Sequence, residues 1–229
     1  SLLIVFIGSG FLLFQNVKED YQFHQLDEQI DEEKNIVVEE HDFKELKEIN
    51  EDTIGWISIA DTAIDYPIVQ ASNNSYYLTH DCNHDESKHG SIFMDYRNAA
   101  DFSDNHTILY GHNMKDGSMF HDLNEYSGHV FFDEHTYIKV YSQDVYRKWV
   151  IFSTYSTEPD FNYLKTAFTS SEDYFVFLKA LLSHSEFSNE EIQVTAEDQI
   201  LTLSTCSKDF ENGRRVVHAK LVEEVIDNE

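Results

Sequence analysis

The chain has 229 residues, and 16 Lys and Arg against 43 Asp and Glu leave a formal net charge of −27. That charge argues against a nucleic-acid binder, which needs a cationic face to meet phosphates, and against attraction to anionic lipid headgroups. At 41% hydrophobic and 14% aromatic residues the chain can build a core, while two cysteines, Cys82 and Cys206, are too few for a disulfide framework.

The first element is apolar: residues 2–14 carry no charged side chain. A bilayer span needs roughly 20 apolar residues, so the run is short for one. A buried core helix and a cleaved signal peptide are the alternatives, but no Ala-x-Ala-like cleavage site follows. The preferred reading is the outer part of an N-terminal membrane anchor, residues 1–17. Residues 18–52 then hold 14 acidic and 4 basic side chains. Tyr21, Leu26 and Ile30 mark one narrow helical face; Phe43, Leu46 and Ile49 mark another, with Asp42 and Glu45 spaced as a capping box. Residues 18–50 therefore read as an acidic helical stalk whose second half docks on a domain, its charge solvated rather than a binding feature.

From residue 51 to 229 the pattern is that of short strands. Segments 55–59, 66–69, 91–95, 106–110, 137–141, 146–154, 199–205 and 214–222 are rich in Ile, Val, Tyr and Phe and separated by Asn, Asp and Ser. A short helix is expected around 119–126. One long helix is expected at 171–183, where Tyr174, Phe177, Leu178, Leu181 and Leu182 follow the 3.6-residue period and Ser170 with Asp173 offers a cap. Many strands with sparse helices predict a mainly β fold, a barrel or a sandwich.

Two strand ends carry chemistry. The apolar strand 199–205 runs into Cys206, and the next strand opens with Arg214 and Arg215 after a polar loop. A hairpin return would bring thiol and guanidinium together. A thiol is a nucleophile only as thiolate, which a fixed cation favours, and a guanidinium can also donate to a developing oxyanion. The strand 106–110 ends in Gly111-His112-Asn113, where Gly111 permits a tight turn and His112 can act as general acid and base. On residues alone a buried thiol, surface arginines and a structural histidine stay open. His80, Asp81, Cys82, His84, Asp85 and His89 supply zinc ligand types, but their spacing matches no standard site, so neither metal nor cofactor is expected.

These residues resemble a class B sortase, a Gram-positive cell-surface cysteine transpeptidase. Thr202-Leu203-Ser204-Thr205-Cys206 matches the family's TLxTC pattern, and Tyr110-Gly111-His112-Asn113 matches the surroundings of its histidine. Arg214, counted back from Ala219 through Val216-Val217-His218, matches its arginine better than Arg215 does. Further similarity lies in Ile54-Gly55-Trp56-Ile57, in Ile64-Asp65-Tyr66-Pro67-Ile68-Val69 and in residues 90–97, so the likeness spans roughly 45–222. The long helix before the Cys strand points to class B. Members of that class often carry an acid close behind the Cys, whereas here Ser207 and Lys208 come first and Asp209 third.

The resemblance implies an eight-stranded sortase-type β-barrel with N-terminal helices and one long helix before the Cys strand. It implies Cys206 as nucleophile, His112 as general acid/base and Arg214 as oxyanion and substrate-positioning residue, with Ser204 and Thr205 as substrate-binding neighbours. The implied reaction cleaves a C-terminal sorting motif of a secreted protein after Thr and transfers the acyl group to a peptidoglycan precursor amine of the lipid II type. The implied location is the cell membrane, with the catalytic domain outside. The alternatives are a cysteine peptidase that only hydrolyses and a non-catalytic surface-binding barrel.

Overall fold

The computed structural model describes residues 43–142, 145–158, 161–206 and 213–226. The expected anchor, most of the stalk and the loop holding Ser207, Lys208 and Asp209 lie outside them. Among the described residues no helix is long and apolar enough to cross a membrane.

A helix, α1 (Phe43–Ile49), precedes nine strands: β1 (Thr53–Ser58), β2 (Asp65–Val69), β3 (Ile92–Met94), β4 (His106–Tyr110), β5 (Tyr137–Ser142), β6 (Val145–Thr157), β7 (Phe187–Ser188), β8 (Ile200–Cys206) and β9 (Arg214–Ile226). The sheet runs β5-β1-β2-β3-β4-β8-β9-β6-β7, and β5 also pairs with β6. That last pairing closes eight strands into a barrel, leaving β7 on the edge of β6. Closure removes the unpaired edges of an open sheet. Neighbours are antiparallel except β2–β3 and β4–β8.

Strand alternation sorts side chains onto two faces. Leu201 and Leu203 point inward and join Ile57, Ile68, Leu109, Trp149, Val217 and Ala219 in the barrel core. Ile200 and Val216 point outward into a second cluster with Phe152 and Tyr155, covered by α3 (Ser171–Ser183) through Tyr174, Phe177, Leu178 and Leu181. The α3 periodicity thus meets a sheet face, and Oγ of Ser170 caps it by accepting from the backbone N–H of Asp173 at 3.1 Å. The ring of Phe43 on α1 meets Tyr141 edge to face, with centroids 6.3 Å apart.

The eight expected strands and the long helix are present. The expected short helix at 119–126 differs: a 3-10 helix occupies His121–Ser127, and a separate helix, α2 (His129–Glu134), follows Gly128. Asn124 Nδ2 donates to the carbonyl of His121, one way the segment satisfies backbone groups outside an α-helix. Strands β6 and β9 reach 13 residues each, pairing through irregularities at Lys148/Trp149 and Ile151/Ser153.

Candidate active site

Three neighbouring strands, β4, β8 and β9, bring Cys206, Arg214 and His112 to one rim of the barrel. Cys206 and Arg214 are direct partners in the antiparallel register, so their side chains leave the same face. Cys206 is solvent-exposed at the strand end, while Arg214 is half-buried, its Nη1 donating to the carbonyl of Gly213 at 3.0 Å. Arg215 pairs with Thr205 and has the opposite orientation. It is buried, and its guanidinium donates to Glu186 Oε2 at 2.7 Å. The register separates the two arginines: one beside the thiol, the other committed to an ion pair.

His112 follows β4, whose parallel register sets Tyr110 beside Ser204. Three bonds carry the alignment to the rim. The N–H of Gly111 donates to the carbonyl of Ser204 at 3.3 Å, Thr205 Oγ1 donates to the carbonyl of Gly111 at 2.8 Å, and Asn113 Nδ2 donates to the carbonyl of Cys206 at 2.8 Å. A Cβ on Gly111 would stand 2.4 Å from Ile92 Cδ1 and 2.8 Å from the Phe120 ring, so the close passage demands glycine. His112 Nε2 donates to the carbonyl of Leu78 at 2.7 Å. A carbonyl only accepts, so Nε2 keeps its hydrogen and Nδ1 is the nitrogen whose protonation can change.

Behind this rim sits a layer that adds Tyr163, Asp95 and Arg97, for which the sequence predicts no role. The Tyr163 hydroxyl bonds Ser204 Oγ at 2.8 Å. Burial pushes the Tyr163 phenol up; the Ser204 bond and the nearby Arg214 cation oppose that rise, and Cys206 adds to it. Asp95, fully buried, accepts from Arg97 Nε and Nη2, from Asn74 Nδ2 and from the Tyr110 hydroxyl. Burial pushes its carboxyl up, but these donors, Arg97 foremost, hold it at about 2. Arg97 Nη2 also donates to the carbonyl of Leu164 at 3.0 Å, beside Tyr163. Ser204 and Thr205, expected as substrate neighbours, are buried with hydroxyls engaged by Tyr163 and Gly111.

Cys82 and Cys206 are free thiols. Burial, then the Asp81 carboxylate, pushes the Cys82 thiol up, away from the reactive thiolate form. His80, His84 and His89 have partners of their own: the Tyr76 carbonyl, the Tyr76 hydroxyl and Asp116. No cluster of three or more metal-ligating side chains occurs among the described residues.

Residues 57–222 match a family model described as the sortase domain. The chain is 42% identical over 183 residues to sortase B of Listeria monocytogenes, covering 79% of this chain and 74% of the relative. It is similar to the solved sortase B–substrate complex of Staphylococcus aureus, with 33% identity, a TM-score of 0.76 and coverage of 90% of this chain and 98% of that one. Sortase B of Clostridium perfringens is 38% identical with a TM-score of 0.76, over 79% of this chain and 99% of that one.

Proposed function

The chain belongs to the sortase family and is a cysteine transpeptidase of the sortase B type; on that premise we propose that it cleaves a C-terminal sorting motif of secreted proteins after Thr and transfers the acyl group to an amine of a cell-wall precursor. The supporting observation is the cross-strand pairing of Cys206 with Arg214, with Gly111 and Asn113, on either side of His112, bonded to the Cys206 strand.

In the first half-reaction, the Cys206 thiolate attacks the Thr carbonyl carbon. The carbonyl oxygen takes the negative charge and accepts from the Arg214 guanidinium. The C–N bond breaks as His112 passes the proton on Nδ1 to the departing amine, leaving a thioester on Cys206. In the second half-reaction, the acceptor amine attacks the thioester carbonyl and gives a proton back to His112. The new amide forms, and the Cys206 thiolate is expelled. Water attacking the same thioester would give hydrolysis.

The substrate is the sorting-signal peptide and the acceptor a lipid II-type amine; no metal or cofactor takes part in these steps. Residues 1–17 serve as a membrane anchor and 18–50 as the stalk, holding the catalytic domain, 51–229, outside the cell. Incubation of the protein with sorting peptides, with and without an amine acceptor, tests transfer against hydrolysis. Mass spectrometry finding the acceptor joined to Thr supports transfer; a free carboxylic acid alone, with acceptor present, favours the peptidase.

A further inference from the structure

Beneath α3, on the same outer face as Cys206 and Arg214, runs a buried polar chain across four strands. Lys165 carbonyl, His106 Nδ1, His106 Nε2, Thr202 Oγ1, His218 Nδ1, His218 Nε2 and the Tyr155 hydroxyl follow one another. The four contacts measure 2.8, 2.6, 2.7 and 2.8 Å. His106, Thr202 and His218 are fully buried. His106 packs against the Phe177 ring of α3, and His218 against Phe152 and Tyr155 of β6. Burial keeps both imidazoles neutral.

The direction of every hydrogen in the chain follows. The Lys165 carbonyl can only accept, so His106 carries its hydrogen on Nδ1 and accepts at Nε2. Thr202 must therefore donate to His106, which leaves its oxygen to accept from His218 Nδ1. His218 Nε2 then accepts from the Tyr155 hydroxyl. Both histidines are the Nδ1–H tautomer, and the Thr202 hydroxyl on β8 gives to His106 on β4 and takes from His218 on β9. A valine would fit its volume but leave two imidazole nitrogens unsatisfied in a dry layer.

We propose that Thr202 is a positioning residue of the transpeptidation reaction: its hydroxyl, joining His106 on β4 to His218 on β9 across β8, sets the relative stagger of the strands that end in His112, Cys206 and Arg214. Thr202 lies four residues from Cys206 on the same strand face, about 13 Å at roughly 3.3 Å per residue. Val216 and Ser204 fill the pair between, in register. A slip along any of the three strands is passed directly to the rim, where a displacement of about 1 Å is worth roughly a hundred-fold in rate.

This inference rests on Cys206, His112 and Arg214 being the reacting residues. The test is steady-state transpeptidation by Thr202→Val, Thr202→Ser and Cys206→Ala, below the melting temperature of each and normalised to folded protein. Thr202→Val is expected to lower kcat by about ten-fold or more with KM within about two-fold, and Thr202→Ser to restore kcat. Unchanged kcat in Thr202→Val with a lowered melting temperature would overturn the inference, leaving Thr202 a purely structural residue. If Thr202→Val does not fold, Thr202→Ala, which also removes the hydroxyl, decides: a lowered kcat per folded molecule supports the inference and an unchanged one overturns it. Retained activity in Cys206→Ala would instead refute the catalytic assignment, a separate outcome.

Discussion

Asn113 donates from Nδ2 to the carbonyl of Cys206 at 2.8 Å, and its Oδ1 accepts from His121 Nδ1 at 3.0 Å. The residue directly after the proposed acid/base thus holds the backbone of the proposed nucleophile. Asn113→Ala removes one such bond, worth about 1 kcal/mol, which converts to roughly a five-fold loss in kcat/KM. Steady-state kinetics with a sorting peptide checks this; an unchanged kcat/KM would make the clamp dispensable.

The two adjacent arginines separate by experiment as they do by register. Arg214→Ala is expected to lower turnover by about 10²–10³-fold, the loss typical of one oxyanion donor, with little effect on thermal stability. Arg215→Ala leaves Glu186 without its 2.7 Å partner and should lower stability by about 1–3 kcal/mol while the folded fraction keeps near-normal turnover. Denaturation curves beside kinetics give both numbers; the reverse pattern would exchange the two roles.

Gly111, directly before His112, is closely packed. In Gly111→Ala the new methyl meets Ile92 and the Phe120 ring at 2.4 and 2.8 Å, so backbone or ring must move. Overpacking of this kind costs about 1–3 kcal/mol. Because His112 follows directly, kcat is expected to fall more steeply than stability accounts for. Equal activity per folded molecule would contradict this.

The buried histidines give folding an acid limb. Burial, with Arg97 assisting and the Lys165 carbonyl opposing, lowers His106 from 6.5 to about 4, and burial takes His218 well below its ordinary value. An unfolded chain takes up protons at both near pH 6.5, so below that it binds more protons than the folded one. Their contribution is full above pH 6.5 and is lost as pH falls towards 4, by about 3 kcal/mol for His106 alone. Urea denaturation at pH 7, 6 and 5 checks the sign; stability constant across that range would contradict it.

The strand ends were legible because residue type and strand limits coincide there: Cys206 closes an apolar run, Arg214 opens one, and Gly111-His112 breaks a third. The choice of Arg214 over Arg215 rested on a count back from Ala219; the register adds the physical ground, cross-strand partnership with Cys206 and the Glu186 ion pair of Arg215. The polar chain could not be read. His106 and Thr202 lie 96 residues apart, and nothing local says that β4 lies parallel to β8. The two-residue strand β7 is too short to show a period. In the 3-10 helix at His121–Ser127 the buried Leu123 and Tyr126 stand three residues apart, a spacing that an α-turn shares, so the residue pattern does not separate the two.

The central claim is that Cys206 carries the acyl group. Mass spectrometry of the protein quenched with acid during turnover of a sorting peptide tests it directly. The account predicts an adduct on Cys206 ending at the peptide's Thr, discharged by an added amine and lost, with cleavage, in Cys206→Ala. An adduct on Cys82, or cleavage undiminished in Cys206→Ala, would contradict it.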